Sequence, residues 1–438
     1  MTFDLEIGTI KNRYFKKSLY LKEHNRCVGN LVLGPMGSGK TMLLLNGISQ
    51  DLQEMKYRQK NGGPTNAVTL LVPEASVCDR VKIMAENEGI QRVTYFNPED
   101  VKSHKINPFQ GDFNSVVKAF LTMFEDYIMS LDDFHAALAK ESLAYILFVS
   151  KYSGEQVLDL QLVKSCLQNP RILMNLVWRT IGLHGAEDNM SSIKDEEKYN
   201  LVKGLKIWWK SKIKLTIQNN ELVYSFKVPF IFKSLKELVQ DLTDNPFVHN
   251  IFTTEENEMF DFEDHFKNGG LVLINTSKEH LEQFSSMIGK YFLSRIESVT
   301  HQKGVVEPNS PIHHLVIDES HEYIYKDFIA LLALTRKYSL SVTMAFQSLQ
   351  MVSNKYGEDM VDMLLACLRN KFIFPGIGVY DARLMASIIG LIEGGETSKI
   401  SKNLIMQDAF NCTVILAALR SGDKVSVKEV KMSYLKTI

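Results

Sequence analysis

The chain lacks paired cysteines, a large net charge and any apolar run long enough to cross a bilayer. Its five cysteines, Cys27, Cys78, Cys166, Cys367 and Cys412, are odd in number, widely spaced and never in a C-x-x-C pair. That pattern excludes a disulfide frame and a cysteine zinc site and fits buried thiols in a reducing compartment. Lys and Arg number 50 against 51 Asp and Glu, a formal charge of -1. No global field therefore draws the chain to nucleic acid or anionic lipid, and any DNA contact has to rest on local basic patches. No window approaches the roughly 18 uninterrupted apolar residues of a spanning helix. Met1 to Arg26 carries Asp4, Glu6, Lys11, Arg13, Lys16 and Lys17 in place of a signal-peptide core. The expectation is a soluble, cytoplasmic protein with no membrane anchor of its own, peripheral at the inner face of the membrane only through a partner. No internal repeat or low-complexity tract is present. What remains is ordinary globular composition, 45% apolar and 23% charged over 438 residues, enough for two or three domains.

The strongest local signal is Val28 to Leu45, VGNLVLGPMGSGKTMLLL, a short apolar run, a glycine loop and a helix-like segment. Gly34, Pro35, Met36, Gly37, Ser38, Gly39, Lys40 and Thr41 fit G-x-x-x-x-G-K-[ST] at every fixed position, between the strand and the helix that this motif requires. Glycines there let successive backbone N–H groups point at phosphates, at a helix N-terminus that already favours anions. Lys40 is expected to reach the β- and γ-phosphates of ATP, and the Thr41 hydroxyl to hold Mg²⁺.

Around this loop the pattern is that of a parallel sheet. VTLLVP and RVTYFNP flank a helix-spaced segment, and GGLVLINTS, HHLVIDE, SVTMAFQS, KFIFPGIG and CTVILAAL follow later, with an amphipathic helix expected from Glu279 to about Val299. Strands alternating with helices predict an α/β fold, a RecA-like P-loop NTPase sheet covered on both faces. Between them, segments with apolar residues spaced at three and four predict an inserted all-α domain. The expected organisation is an ATPase domain made of residues 1–111 and 249–438, interrupted by an all-α domain at 112–248.

Leu315-Val-Ile-Asp-Glu319 is an apolar strand ending in two carboxylates, as a hydrolysing P-loop protein needs beside its loop. Asp318 is expected in the Mg²⁺ shell, and Glu319 to orient and deprotonate the attacking water. Gln347 ends the apolar run SVTMAFQ, where an amide either bonds the γ-phosphate and attacking water or caps the strand. Arg336, in LALTRKYSL, either stabilises transition-state charge in a neighbouring subunit or is a surface cation.

The phosphate loop, VIDES, TRKYSL, AFQSLQMV, HKINPF and the run KYGEDMVDMLLACLRNKFIFPGIGVYDARLMASIIG together resemble the coupling ATPases of conjugation and type IV secretion, in the hexameric DNA-pump superfamily. The likeness runs from about residue 28 onward. It implies a homo-hexamer that hydrolyses ATP at subunit interfaces and passes DNA or nucleoprotein through a pore, with relaxase or relaxosome and type IV secretion channel proteins as partners. It also implies that Arg336 is an arginine finger acting across subunits and Gln347 a γ-phosphate sensor. Two departures stand out. Only 33 residues precede Gly34, too few for a pair of spanning helices, and Val72-Pro73-Glu74 stands where the family carries Asp-Pro-Lys.

Lys203 to Lys214, five lysines with Trp208 and Trp209, reads first as a solvated helix face over a tryptophan core and second as a candidate DNA patch. Two other functions fit the same motifs. One is a channel-assembly ATPase acting on protein; the other is a recruitment platform that binds ATP with little turnover.

Overall fold

Runs of leucine and β-branched residues buried on both faces are the material of a parallel sheet, and the chain supplies them repeatedly. Strands β3 (Asn30–Leu33), β4 (Ala67–Val72), β8 (Gly270–Asn275), β9 (His313–Ile317) and β11 (Asn370–Ile373) are buried at every position. The computed structural model describes residues 3–10, 17–154, 159–185, 193–218, 221–252, 259–304, 310–406, 411–418 and 425–432. Two units emerge, Met1–Asn97 with Asp261–Ile438, and Pro98–Phe260.

The first unit holds an 11-stranded sheet. Its remaining strands are β1 (Leu5–Ile10), β2 (Lys17–Leu21), β5 (Val93–Phe96), β10 (Leu340–Phe346), β12 (Asn411–Leu416) and β13 (Ser426–Met432). The order is β2-β1-β13-β12-β11-β3-β10-β9-β4-β8-β5. From β11 to β5 all neighbours are parallel, and from β11 back to β2 all are antiparallel. The chain leaves β3 through the helix Lys40–Lys60 and re-enters at β4, and two later strands, β10 and β9, fill the space between. Register puts Leu33 beside Phe346, and Ile317 beside both Met344 and Leu71. The carboxyl ends of β3, β10, β9 and β4 therefore lie along one edge, where open parallel sheets bind ligands.

Where one amphipathic helix is expected from Glu279 to Val299, there are two. Lys278–Leu281 ends at Glu282, whose φ of 48° breaks the helical path, and Phe284–Lys303 follows. The second helix is not amphipathic: every residue from Met287 to Thr300 is buried, including Lys290, Arg295 and Glu297. A helix covered all round needs partners for its polar groups, and Tyr325 Oη donates to Glu297 Oε2 at 2.5 Å. Gly289 is the close-approach point, since a Cβ there would lie 2.2 Å from Tyr323 Cδ1.

The second unit is mostly helical. Asp112, Asp132, Asp159 and Asn169 each cap a helix by accepting from backbone N–H groups of its first turn. Its core gathers Phe120, Leu143, Phe148, Leu173, Trp208 and Phe232, all at most 2% exposed. It is not all-α. Strands β6 (Ile213–Gln218) and β7 (Glu221–Phe226) form an antiparallel hairpin because IKLTIQ and ELVYSF alternate with period two, placing Ile213, Leu215 and Ile217 opposite Phe226, Tyr224 and Leu222. The unit begins and ends outside residues 112–248 because its two connecting segments bond to each other. Ile106 N donates to Ile251 O at 2.8 Å, Phe260 N to Lys105 O at 3.3 Å, and Asn250 Nδ2 to Pro98 O at 2.6 Å.

Among the described residues, no helix is long and apolar enough to cross a membrane.

Candidate active site

The loop after β3 is shaped by its glycines. Gly37 and Gly39 have φ of 75° and 109°, left-handed values that a side chain resists. Gly34 is needed for space: a Cβ there would lie 2.7 Å from both Phe374 Cβ and Ser38 Oγ. Gly39 then caps the 21-residue helix that begins at Lys40, so the helix N-terminus and its unpaired N–H groups face the loop.

Four elements bring their side chains to this point. Lys40 Nζ donates to the loop carbonyls of Gly34 at 2.7 Å and Pro35 at 3.1 Å. Thr41 Oγ1 donates to Asp318 Oδ2 at 3.4 Å, and Glu319 N to Asp318 Oδ1 at 2.9 Å. Gln347, at the end of the strand that separates β3 from β9, donates from Nε2 to Glu319 Oε1 at 2.9 Å. The cleft shared by Lys40, Thr41, Asp318 and Glu319, of about 310 Å³, is lined also by Met36, Pro73 and Glu74, and Gln347 adjoins it through Glu319. The Val-Pro-Glu departure thus falls within it.

The electrostatics follow from partial burial around a cluster of charges. Burial lowers the Lys40 ammonium below its usual value, and Glu319 and Asp318 act against that shift. Burial raises the Asp318 carboxyl, and the Glu319 charge beside it pushes the same way. Glu319 itself sits in left-handed backbone at φ 48° and ψ 46°, a conformation that costs a non-glycine residue about 1–3 kcal/mol. Such strain persists where surrounding structure over-determines it, here the ends of β9 and β10.

These residues suit a nucleoside triphosphate with a divalent cation. Thr41 and Asp318 offer adjacent oxygen ligands of the kind Mg²⁺ takes. Among the described residues, buried Ser38 Oγ in the loop has no hydrogen-bond partner, a polar atom available to a phosphate. A second cluster of metal-type side chains, Asp51, Glu54 and His314, is buried elsewhere in this unit. It does not suit a cation: Arg26 holds both oxygens of Asp51 at 2.5 and 2.8 Å, and Arg58 Nε holds Glu54 at 2.6 Å, so both carboxylates are already neutralised.

Arg336 is not brought to this cleft. It lies exposed on the turn Thr335–Tyr338, before the amino end of β10, whereas Gln347 follows the carboxyl end. Seven strand residues at about 3.3 Å each separate the two. Of the lysine-rich patch, Trp208 is 2% exposed and stacks on Tyr145 with ring centres 5.2 Å apart, so it belongs to the core. Lys203 and Lys210 are exposed on the same helix, while Lys214 lies on β6.

Sequence reasoning missed three residues behind Glu319. His321 Nδ1 lies 3.6 Å from Glu319 Oε2, and its Nε2 lies 3.2 Å from Glu322 Oε1. Lys278 Nζ reaches the same Glu322 oxygen at 2.5 Å. The signal was present as two further titratable residues in DESHE, directly after the carboxylate pair.

A glycine loop capping a helix, a carboxylate pair on a non-adjacent parallel strand and a polar residue on the strand between them define the class: a P-loop NTPase fold of RecA type. Within that class, part of the chain resembles TraD and TraG. The family described as the TraM recognition site of TraD and TraG matches residues 313–407. The solved structure of the bacterial conjugative coupling protein TrwBΔN70 is 13% identical with a TM-score of 0.59, covering 97% of this chain and 88% of that one. TrwB in complex with ADP and Mg²⁺ is 12% identical at a TM-score of 0.61, covering 94% and 88%. VirB4 of Thermoanaerobacter pseudethanolicus is 14% identical at 0.55, covering 98% and 97%. No curated protein matches the chain by sequence.

Proposed function

We propose that this protein is an ATP-driven motor that delivers DNA or nucleoprotein to a conjugative type IV secretion channel. The observation that carries the reading is the contact of Gln347 with Glu319, because it ties the amide at the end of the neighbouring strand to the carboxylate that would activate water. A kinase has no use for that pair. In this reading the loop N–H groups and Lys40 hold the phosphates, and Thr41 and Asp318 hold Mg²⁺, which neutralises charge developing on the phosphate oxygens. Glu319 takes a proton from water as the water oxygen bonds to the γ-phosphorus and the bond to the bridging oxygen breaks. Gln347 reports on the γ-phosphate.

The place of Arg336 supports action across subunits in a homo-hexamer, since it lies at the opposite strand ends from its own chain's cleft. The match at residues 313–407 makes a TraM-type relaxosome protein a candidate partner. TrwB, a coupling protein solved with ADP and Mg²⁺, supports the same cofactors here. We place the protein in the cytoplasm, held at the membrane through a partner. The likeness to VirB4 favours one other reading, a channel-assembly ATPase acting on protein.

The test is ATP turnover with and without single- and double-stranded DNA at two salt concentrations, with Glu319→Gln as the blank. Stimulation that weakens with salt is the expected result for a motor gripping phosphates. Turnover above the blank but indifferent to both DNAs transfers the reading to the assembly ATPase.

A further inference from the structure

One buried carboxylate takes no part in the chemistry above, and it holds the turn that carries Gln347. Asp381 is the third residue of the helix Val379–Glu393 and is 0% exposed. Its Oδ1 accepts from Leu349 N at 3.0 Å, across 32 residues of chain. Leu349 is buried as completely, and it ends the segment Gln347-Ser348-Leu349 between β10 and the helix Gln350–Tyr356. Within that segment Ser348 Oγ accepts from Gln350 N at 3.1 Å.

The carboxyl and the turn depend on each other. Burial raises the Asp381 carboxyl, and among the described residues the groups acting against that shift are the Ser348 hydroxyl and the N–H groups of Leu349 and Gln350, all of the one turn. No cation contributes. The other oxygen, Oδ2, has no hydrogen-bond partner among the described residues, so the bond to Leu349 N is what ties the carboxyl in place. A buried polar group is tolerated where its partner is fixed, and a buried N–H is costly to leave unpaired.

Gln347 is thereby held from both sides. Upstream, Gly34 N donates to Phe346 O at 3.1 Å and ties the end of β10 to the first residue of the phosphate loop. Downstream, Asp381 holds Leu349. Gln347 and Ser348 alone lie between these anchors, and from there the Gln347 amide donates to Glu319 Oε1 at 2.9 Å.

We propose that Asp381 is a positioning residue for Gln347, fixing the backbone from which that amide reaches Glu319. The inference rests on the hydrolytic reading above. Asp381 touches neither Glu319 nor the phosphate loop; it acts through the turn. Without its acceptor oxygen Leu349 N is unpaired, the turn shifts to find another partner, and Gln347 moves with it. A misplacement of about 1 Å at a reacting site lowers the rate about 10²-fold.

The experiment measures kcat and KM for ATP on the full chain, with Glu319→Gln as the blank, and on Asp381→Ala, Asp381→Leu and Asp381→Asn, each alone and combined with Gln347→Ala. Asp381→Leu keeps the buried volume and removes the acceptor, so it carries the comparison if Asp381→Ala does not fold. Asp381→Asn keeps one acceptor oxygen for Leu349 N. The expected result is a kcat lowered about 10²-fold in Asp381→Ala and Asp381→Leu with KM within about twofold, and a kcat within about threefold of the unmodified chain in Asp381→Asn. In the Gln347→Ala background the same substitutions should change kcat by less than about twofold, because the group they position is gone. A loss by the same factor in both backgrounds overturns the inference, since it marks a disturbance that reaches the site by another route. So does an undiminished kcat in Asp381→Leu, or an Asp381→Asn as slow as Asp381→Leu. If the unmodified chain turns over ATP no faster than Glu319→Gln, the hydrolytic reading falls and takes this inference with it. Turnover in the unmodified chain with indifferent Asp381 variants removes this inference alone.

Discussion

At the carboxyl ends of the parallel strands, Lys40, Asp318 and Glu319 meet at a cleft, with Gln347 bonded to Glu319; toward the amino ends, Arg26, Asp51, His313 and His314 meet in the interior. Both groups combine cations, carboxylates and polar side chains at low exposure. They differ in charge pairing and in backbone strain. Arg26 and Asp51 satisfy each other through two short bonds, and Asn66 Nδ2 adds a third to the Asp51 carbonyl. Thr69 Oγ1 bridges His313 Nε2 at 2.8 Å and His265 Nε2 at 3.1 Å. In the cleft the lysine bonds only its own loop's carbonyls, like charges stand side by side, and one glutamate is held in strained backbone. The amino-end group is not saturated either, since His313 Nδ1 and both ring nitrogens of His314 have no hydrogen-bond partner among the described residues; what sets the cleft apart is its like charges and strained backbone, which dispose it to bind and react.

The largest expected effects separate the two ends by readout. Glu319→Gln should lower ATP turnover by about 10⁴-fold, the upper range for a positioned base, with the urea unfolding midpoint unchanged. Asp51→Ala should do the reverse: it strands the Arg26 guanidinium, 6% exposed, and costs about 3–5 kcal/mol in urea denaturation. A destabilised Glu319→Gln, or an Asp51→Ala as stable as the parent, breaks the distinction.

Arg336 is the exception, a cation near the amino ends but exposed. Arg336→Ala should lower turnover about 10³-fold with ATP binding retained. Mixing it with Lys40→Ala chains sharpens the point, because a site with intact Lys40 then receives Arg336 from its neighbour. Recovery of turnover in the mixture is expected; a mixture as inactive as its parts sinks the action across subunits.

The contrast between the ends also explains what could be read in advance. The phosphate loop was legible because each of its demands is local: left-handed backbone at Gly37 and Gly39, space at Gly34, a charge at Lys40. Asp318 and Glu319 were legible because they end an apolar run, and Gln347 for the same reason. The group behind Glu319 was not, since Lys278 comes to Glu322 only through the ordering of β4, β8 and β9 in the sheet, which no local pattern encodes. The hairpin β6–β7 was missed because helix passes to strand at Lys212 and Ile213 with no glycine or proline to mark the change. The buried helix Phe284–Lys303 carries Lys290, Arg295 and Glu297, so its sequence imitates a solvated face.

The smallest effect concerns acid, and its sign can be worked out group by group. Burial drives His265 down to about 3, and His313 and His314 well below their usual value. Depressed histidines contribute stability that is present above the unfolded value near pH 6.5 and lost as pH falls below it, at about 1.4 kcal/mol per pH unit each. Glu54 opposes them. Burial raises its carboxyl to about 7, so its contribution is present at low pH and is lost as pH rises toward 7. Asp51, its carboxyl also raised by burial, acts in the same sense as Glu54, so within this cluster two carboxyls offset part of the loss that three histidines impose. Urea midpoints should therefore fall from pH 7 to pH 5.5, and more steeply in Glu54→Gln, which removes one opposing group. An acid slope that stays flat in both proteins would mean that the histidine cluster admits a proton without opening, and that the amino ends are less tightly sealed than their hydrogen bonds imply.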